Sequence, residues 1–404
     1  MIVDGSLLIY APVPLHQQGD RLFVERQAAN GLRLWADHFS HVTAMMPLSS
    51  DPVPTGWVPL DQVKGIDRVT VEPLPMAYRP DRYLRARGAV RTRISGLIDR
   101  AQYLTFAIGG LFGDWGAEAC LLAAARGRRF AVWTDRVESE VVRNQIAAAR
   151  GRARLRARLT HRPMARLERK VIAKAALGLF HGKETFDTYA PFCANPQIVH
   201  DIHIAPQDHI QPDQLAEKRA AVGQGPLRLF YAGRADPMKG PLDWVAVLAE
   251  LRARGVAFHA TWLGEGPELE GMRARIAAQG LQDVVELPGF LDSRAAVMAA
   301  YRAAHLFLFC HKTPESPRCL IEALASGTPI IGYQGAYARD LISTHQGGAL
   351  VPMGDVAGLA SWVAQLAQDR AALADLIGRA AADGAPFTDQ EVFRHRSDLI
   401  KTYL

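Results

Sequence analysis

The chain of 404 residues is poor in cysteine: it has four, Cys120, Cys193, Cys310 and Cys319. They lie far apart or inside apolar strings, with no CxxC pair and no histidine at zinc-ligand spacing. They therefore read as reduced thiols in or near a core, not as a disulfide framework or a zinc site. Long apolar runs are also lacking, and none approaches the roughly 20 residues that cross a bilayer. The start MIVDGSLLIYAPVP has neither the basic first segment nor the small-residue cleavage site of a secretory signal, so the expectation is a cytoplasmic protein. There is no internal repeat, no DxD-type acidic cluster and, apart from one arginine-rich stretch, no low-complexity tract. What the chain does have is an apolar content of 49% and a length beyond what one core organises, which predicts two domains of roughly 150 to 200 residues. Its net charge of +6 is modest but unevenly spread.

From about residue 226, short apolar runs alternate with segments of helical period. LRLFYAG (227–233), AFHATWLG (257–264), VVELPG (284–289), LFLF (306–309) and PIIGY (329–333) read as strands. PLDWVAVLAELRARG (241–255) and segments near 294–303 and 319–326 read as helices. Such alternation implies a parallel sheet covered by helices on both faces. In the first half, strands are predicted at 7–12, 41–47, 68–75, 103–108, 128–135 and 176–182, giving a second α/β domain. The proline-bearing, aperiodic segment 192–212 reads as the linker. The fold class is thus α/β with two Rossmann-like domains, 1–205 and 206–385, followed by a helical tail, 386–404.

GRADPMKG (233–240) follows a strand and opens a helix, the place where ligands bind in parallel α/β sheets. Arg234 offers a planar fork of donors, Lys239 a point charge, and the helix start near Pro241 free N–H groups; together they suit a diphosphate. Gly233 and Gly240 let the backbone come close. A solvated turn with two incidental cations is the alternative for the motif taken alone.

The residues beyond it do not leave it alone. WLGEGPELEGMRARIAAQGLQDVVELPGFLD (262–292), then AAYRAAHLFLF, PESPRCLIEALASGTPIIGY and GGALVPMGDVAGLASWV, resemble the C-terminal domain of the GT-B glycosyltransferases of family 4. The resemblance runs from about 227 to 370; in the N-terminal half it is only general. It implies two Rossmann-like domains facing across a cleft, with the tail helix crossing back onto the first. It also implies hexosyl transfer from a nucleotide-diphosphate sugar, the donor substrate, to a hydroxyl on a glycan or lipid-linked glycan. The expected transfer is retaining, with no cofactor and no metal, since Arg234, Lys239 and helix N-termini can neutralise the leaving diphosphate. By the same resemblance Arg234 and Lys239 bind that diphosphate, and backbone groups at Phe290 and Leu291 hold the base, unless these two form only an exposed turn.

Family members carry two glutamates, the second for the ribose hydroxyls and the first for the transferred sugar. Glu322 matches the second position; a helix N-terminal charge stabilised by the dipole is a compatible reading. Glu315 falls one residue short of the family spacing, and Pro314 occupies the strict position. The turn-rich PESPR loop lets Glu315 keep the role. Arg318 in this loop is open to three readings: contact with the diphosphate, contact with an acidic acceptor, or surface pairing.

Where the family places a histidine near the sugar, this chain has Asp135 and Arg136, so Asp135 is either a sugar- or acceptor-facing carboxylate or the N-cap of the next helix. Gly19 stands where the family's glycine-bearing loop faces the donor, and His16 is a candidate cleft residue or an exposed bystander. The stretch 143–176 carries nine arginines and lysines from Arg150 to Lys170 against Glu168. It suits peripheral contact with an anionic membrane at its inner face, or a solvated helix face. Nucleic acid is not expected as a partner, because the stretch has no aromatic for base stacking. A nucleotide-sugar epimerase or hydrolase, or a non-catalytic nucleotide-sugar-binding protein, are the alternatives on the same fold.

Overall fold

The structure is a computed structural model that describes residues 2–148, 150–223, 225–313 and 315–404. Pro314 lies outside these residues. The chain separates into two units, Met1–His203 with Gln390–Leu404, and Ile204–Asp389.

The strands of the first unit are β1 (Val3–Tyr10), β2 (His16–Gln18), β3 (Arg21–Val24), β4 (His41–Leu48), β5 (Val58–Pro59), β6 (Val69–Pro75), β7 (Ala101–Ala107), β8 (Ala131–Thr134), β9 (Leu177–His181) and β10 (Pro196–Val199). Seven of them form a parallel sheet in the order β10-β9-β8-β7-β1-β4-β6. Alternation of side chains supplies both faces. Leu8 and Tyr10 of β1 join Met45, Phe106 and Val132 in one cluster, while Leu7 and Ile9 join Val42, Ala44 and Leu179 in another. Helices Pro80–Ile98, Trp115–Ala125 and Gly151–Ile172 contribute to the first cluster. The terminal helix Asp389–Tyr403 contributes Phe393 and Ile400 to the second. Its Arg396 guanidinium lies 4.7 Å from the ring centre of Trp35 and 5.4 Å from that of Trp133.

In the second unit β11 (Leu227–Ala232), β12 (Phe258–Leu263), β13 (Val285–Gly289), β14 (Leu306–Phe309), β15 (Ile330–Tyr333) and β16 (Gly348–Val351) form a parallel sheet ordered β13-β12-β11-β14-β15-β16. Every residue of β14 and β15 is buried. That is why these strands read as unbroken apolar runs instead of alternating ones.

Three expectations need correction. The aperiodic segment 192–212 contains β10, the edge strand; Pro196 opens it at an edge, where its missing N–H costs little. The crossings between units fall at 203/204 and 389/390, not 205/206 and 385/386. Asp389 donates its backbone N–H to Ile204 O at 2.8 Å, and His209 bonds Phe387 O at 3.0 Å, tying 386–389 to the second unit. Gly19, expected in a glycine-bearing loop, lies in a hairpin: β2, β3 and β5 make a small antiparallel sheet. Gly19, with φ of 61°, and Asp20 form its two-residue turn.

Candidate active site

The loops at the C-terminal ends of β11, β12 and β14, adjacent strands in the sheet, are locked backbone to backbone. Gly233 N donates to Leu263 O at 2.9 Å, Ala235 N to Glu265 O at 2.9 Å and Lys312 N to Met238 O at 2.8 Å. Glycines make the approach possible. A Cβ on Gly240, which has φ of 65°, would stand 2.1 Å from Cys310 O, and one on Gly264 would stand 2.1 Å from Gly233 O. Helix Pro241–Ala253 starts directly after Gly240, with proline at its first position, where no N–H is needed.

This framework brings Lys239 and Glu315 together: Nζ donates to Oε1 at 2.7 Å, with both side chains largely shielded. Behind them stands buried His311, whose Nδ1 is 3.6 Å from the same carboxylate oxygen and whose Nε2 is 2.8 Å from the Tyr231 hydroxyl. Burial, helped by the Lys239 charge, holds the His311 imidazole well below its usual pKa, so it stays neutral. Tyr231 in turn stacks on Trp262 at 3.9 Å between ring centres. Arg234, by contrast, is exposed, and its side chain forms no ion pair among the described residues.

Glu322 sits in the second turn of helix Arg318–Ala325, which starts directly after Pro317. The reading as a charge at a helix N-terminus is therefore replaced. Its two oxygens accept from Arg294 Nη1 at 3.0 Å and from the Tyr301 hydroxyl at 3.2 Å. Arg294 also donates from Nε to Asp208 at 3.2 Å. Burial works against the Arg294 charge, but Glu322 and Asp208 outweigh it and raise its pKa. Arg318, half-buried, is the first residue of that helix. Phe290 and Leu291 follow β13 and are exposed by 69% and 39%. Sequence reasoning passed over Arg294, Tyr301, His311 and Asp208: the fold brings Arg294 and Tyr301 to Glu322 and Asp208 to Arg294, while His311, four residues before Glu315, reads as the end of an apolar strand.

In the first unit, Asp135 lies just past β8, half exposed, with Oδ1 3.8 Å from Nε2 of buried His181 at the end of β9. Its reading as an N-cap fails. Helix Glu138–Ala148 begins three residues later, and Ser139 at its start donates backbone N–H and hydroxyl to Glu168 at 3.0 and 2.6 Å. The one acid of the arginine-rich stretch is thus turned inward, where burial raises its pKa against the opposing Ser139 bonds. His16 is buried in β2, with Nδ1 2.9 Å from Asp51 O and its ring edge-on to Trp57, so it is neither an open cleft residue nor an exposed bystander.

Residues 214–383 match the family described as glycosyl transferases group 1. The second unit is a group 1 glycosyl transferase domain. Both units together have the GT-B fold. The structure of Anabaena Alr3699/HepE in complex with UDP superimposes with a TM-score of 0.65 at 15% identity, covering 98% of this chain and 100% of that one. WaaG, a glycosyltransferase involved in lipopolysaccharide biosynthesis, superimposes with a TM-score of 0.62 at 14% identity over 98% and 99%. In sequence, the 2-deoxystreptamine N-acetyl-D-glucosaminyltransferase of Streptomyces fradiae is 29% identical over 241 residues, 56% of this chain and 57% of that protein. The chain spans about half the length of the curated relatives it matches. Among the described residues, no helix of the group 1 domain or of the first unit is long and apolar enough to cross a membrane.

Proposed function

We propose that the chain is a glycosyltransferase that moves a sugar from a nucleotide-diphosphate sugar to a hydroxyl of a glycan or lipid-linked glycan, with retention and without a metal. The observation that carries this reading is the pairing of Lys239, past β11, with Glu315, past β14, together with an exposed Arg234 whose side chain forms no ion pair among the described residues. A donor diphosphate supplies oxygens that outcompete one carboxylate for Lys239 and engage the Arg234 fork at the same time. Released from Lys239, Glu315 becomes an acceptor for a sugar hydroxyl, which a closed site requires. Glu322, aimed by Arg294 and Tyr301, takes the ribose hydroxyls. The backbone at Phe290 and Leu291 faces the base.

In the transfer step the acceptor oxygen bonds the anomeric carbon on the face from which the diphosphate leaves, and the acceptor proton passes to a leaving phosphate oxygen. The protein contributes position and charge neutralisation. Asp135, past β8 of the first unit, is the candidate for orienting the acceptor. Because HepE is seen with UDP, uridine diphosphate sugars are the first donors to screen, by thermal shift against GDP-, ADP- and dTDP-sugars. The reaction is tested by following free nucleoside diphosphate. Release only when an acceptor is added supports transfer; release without acceptor indicates a hydrolase, and binding without release a non-catalytic protein.

A further inference from the structure

The first unit carries a surface that the transfer reaction does not use. Helix Gly151–Ile172 buries Ala157, Met164, Glu168 and Val171. At about 100° per residue, its opposite face is centred on Leu155 and Leu159, with Arg152, Arg158, Arg162 and Arg166 within about 60° of Leu155. The two leucines are 58% and 65% exposed, unusual for aliphatic side chains among charges. The four arginines are exposed, and among the described residues none of them forms an ion pair. The helix's one acid faces inward to Ser139, so nothing on the outer face offsets the positive charge.

We propose that this face docks the first unit onto an anionic lipid bilayer, the arginines meeting headgroup phosphates while Leu155 and Leu159 enter the boundary between headgroups and acyl chains. An arginine-rich, leucine-bearing face in a helix too polar to span suits a helix lying in the interface plane. The leucines separate this partner from nucleic acid, which the charges alone would also attract: apolar side chains at the summit of the face gain nothing against a phosphate backbone, and no aromatic is present to stack on bases. This docking is independent of the donor site, so its failure would leave nucleotide affinity untouched.

The test is co-sedimentation of the full chain with vesicles of phosphatidylcholine, with or without phosphatidylglycerol, across a salt series. Binding should need phosphatidylglycerol and weaken with salt. The charge-neutral pair Leu155→Gln with Leu159→Gln should reduce it by about tenfold, and Arg158→Gln with Arg162→Gln by at least as much. These positions are exposed, so thermal melting and nucleoside-diphosphate binding should stay at wild-type values, which separates lost docking from lost folding. Absence of phosphatidylglycerol-dependent binding would overturn the proposal. So would unchanged vesicle binding by the leucine variant.

Discussion

The two units share a parallel-sheet architecture, but one group of cations in each is placed in the opposite way. The second turns cations toward carboxylates at the strand ends: Lys239 on Glu315, Arg294 on Glu322 and Asp208. The first leaves a helix of arginines facing outward, with its single acid drawn into the interior. Paired charges held by locked loops make a site that can exchange one anion for another. Unpaired charges on one face make a surface that gathers an extended anion.

The largest effect that would sharpen this contrast comes from backbone contact. Gly240→Ala puts a Cβ against Cys310 O at a residue with φ of 65°. It should cost the second unit several kcal/mol and abolish nucleotide binding, while hydrogen exchange in the first unit stays near wild type. Wild-type stability of this variant would show that the loops are not locked. Next, Glu322→Gln strips Arg294 of a charged partner. Both the sugar nucleotide and the bare nucleoside diphosphate should bind about 1.5 to 3 kcal/mol more weakly by calorimetry. Glu315→Gln should differ in kind: turnover falls, whereas bare nucleoside diphosphate binds as well as to wild type or more tightly, because Lys239 no longer has to leave a carboxylate. Equal losses in both variants would erase the distinction between the two glutamates.

A smaller effect should be common to both units. Burial lowers His200 in the first unit and His305 in the second from 6.5 to about 3. An unfolded imidazole takes up a proton as pH falls through about 6.5, and the folded one does not. Stability present above that pH should therefore decline between pH 7 and 5. Urea midpoints at the two pH values measure it, and a midpoint that rises on acidification would contradict it.

Legibility in the sequence also differed between the units. The second could be read because β14 and β15 are buried on both faces and its loop chemistry is local: GRADPMKG contains both cations of the proposed grip. Glu315 and Glu322 came from the family resemblance, Glu315 one residue short of the family spacing. Their partners were not: Arg294 and Tyr301 reach Glu322 only through the fold, and His311, four residues before Glu315, reads as the end of an apolar strand. In the first unit, β10 is four residues long and starts with proline, which hid it among loop residues. The basic stretch was plain, but the inward turn of Glu168 depends on where the preceding helix begins, and a linear charge pattern does not contain that.

Arg234 and Lys239 are the proposed diphosphate grip of the second unit. Titrating the donor's nucleoside diphosphate into Arg234→Gln and Lys239→Gln by calorimetry tests this most directly. Each substitution should weaken binding by about 1.5 to 3 kcal/mol with the fold intact. Wild-type affinity in both would contradict it.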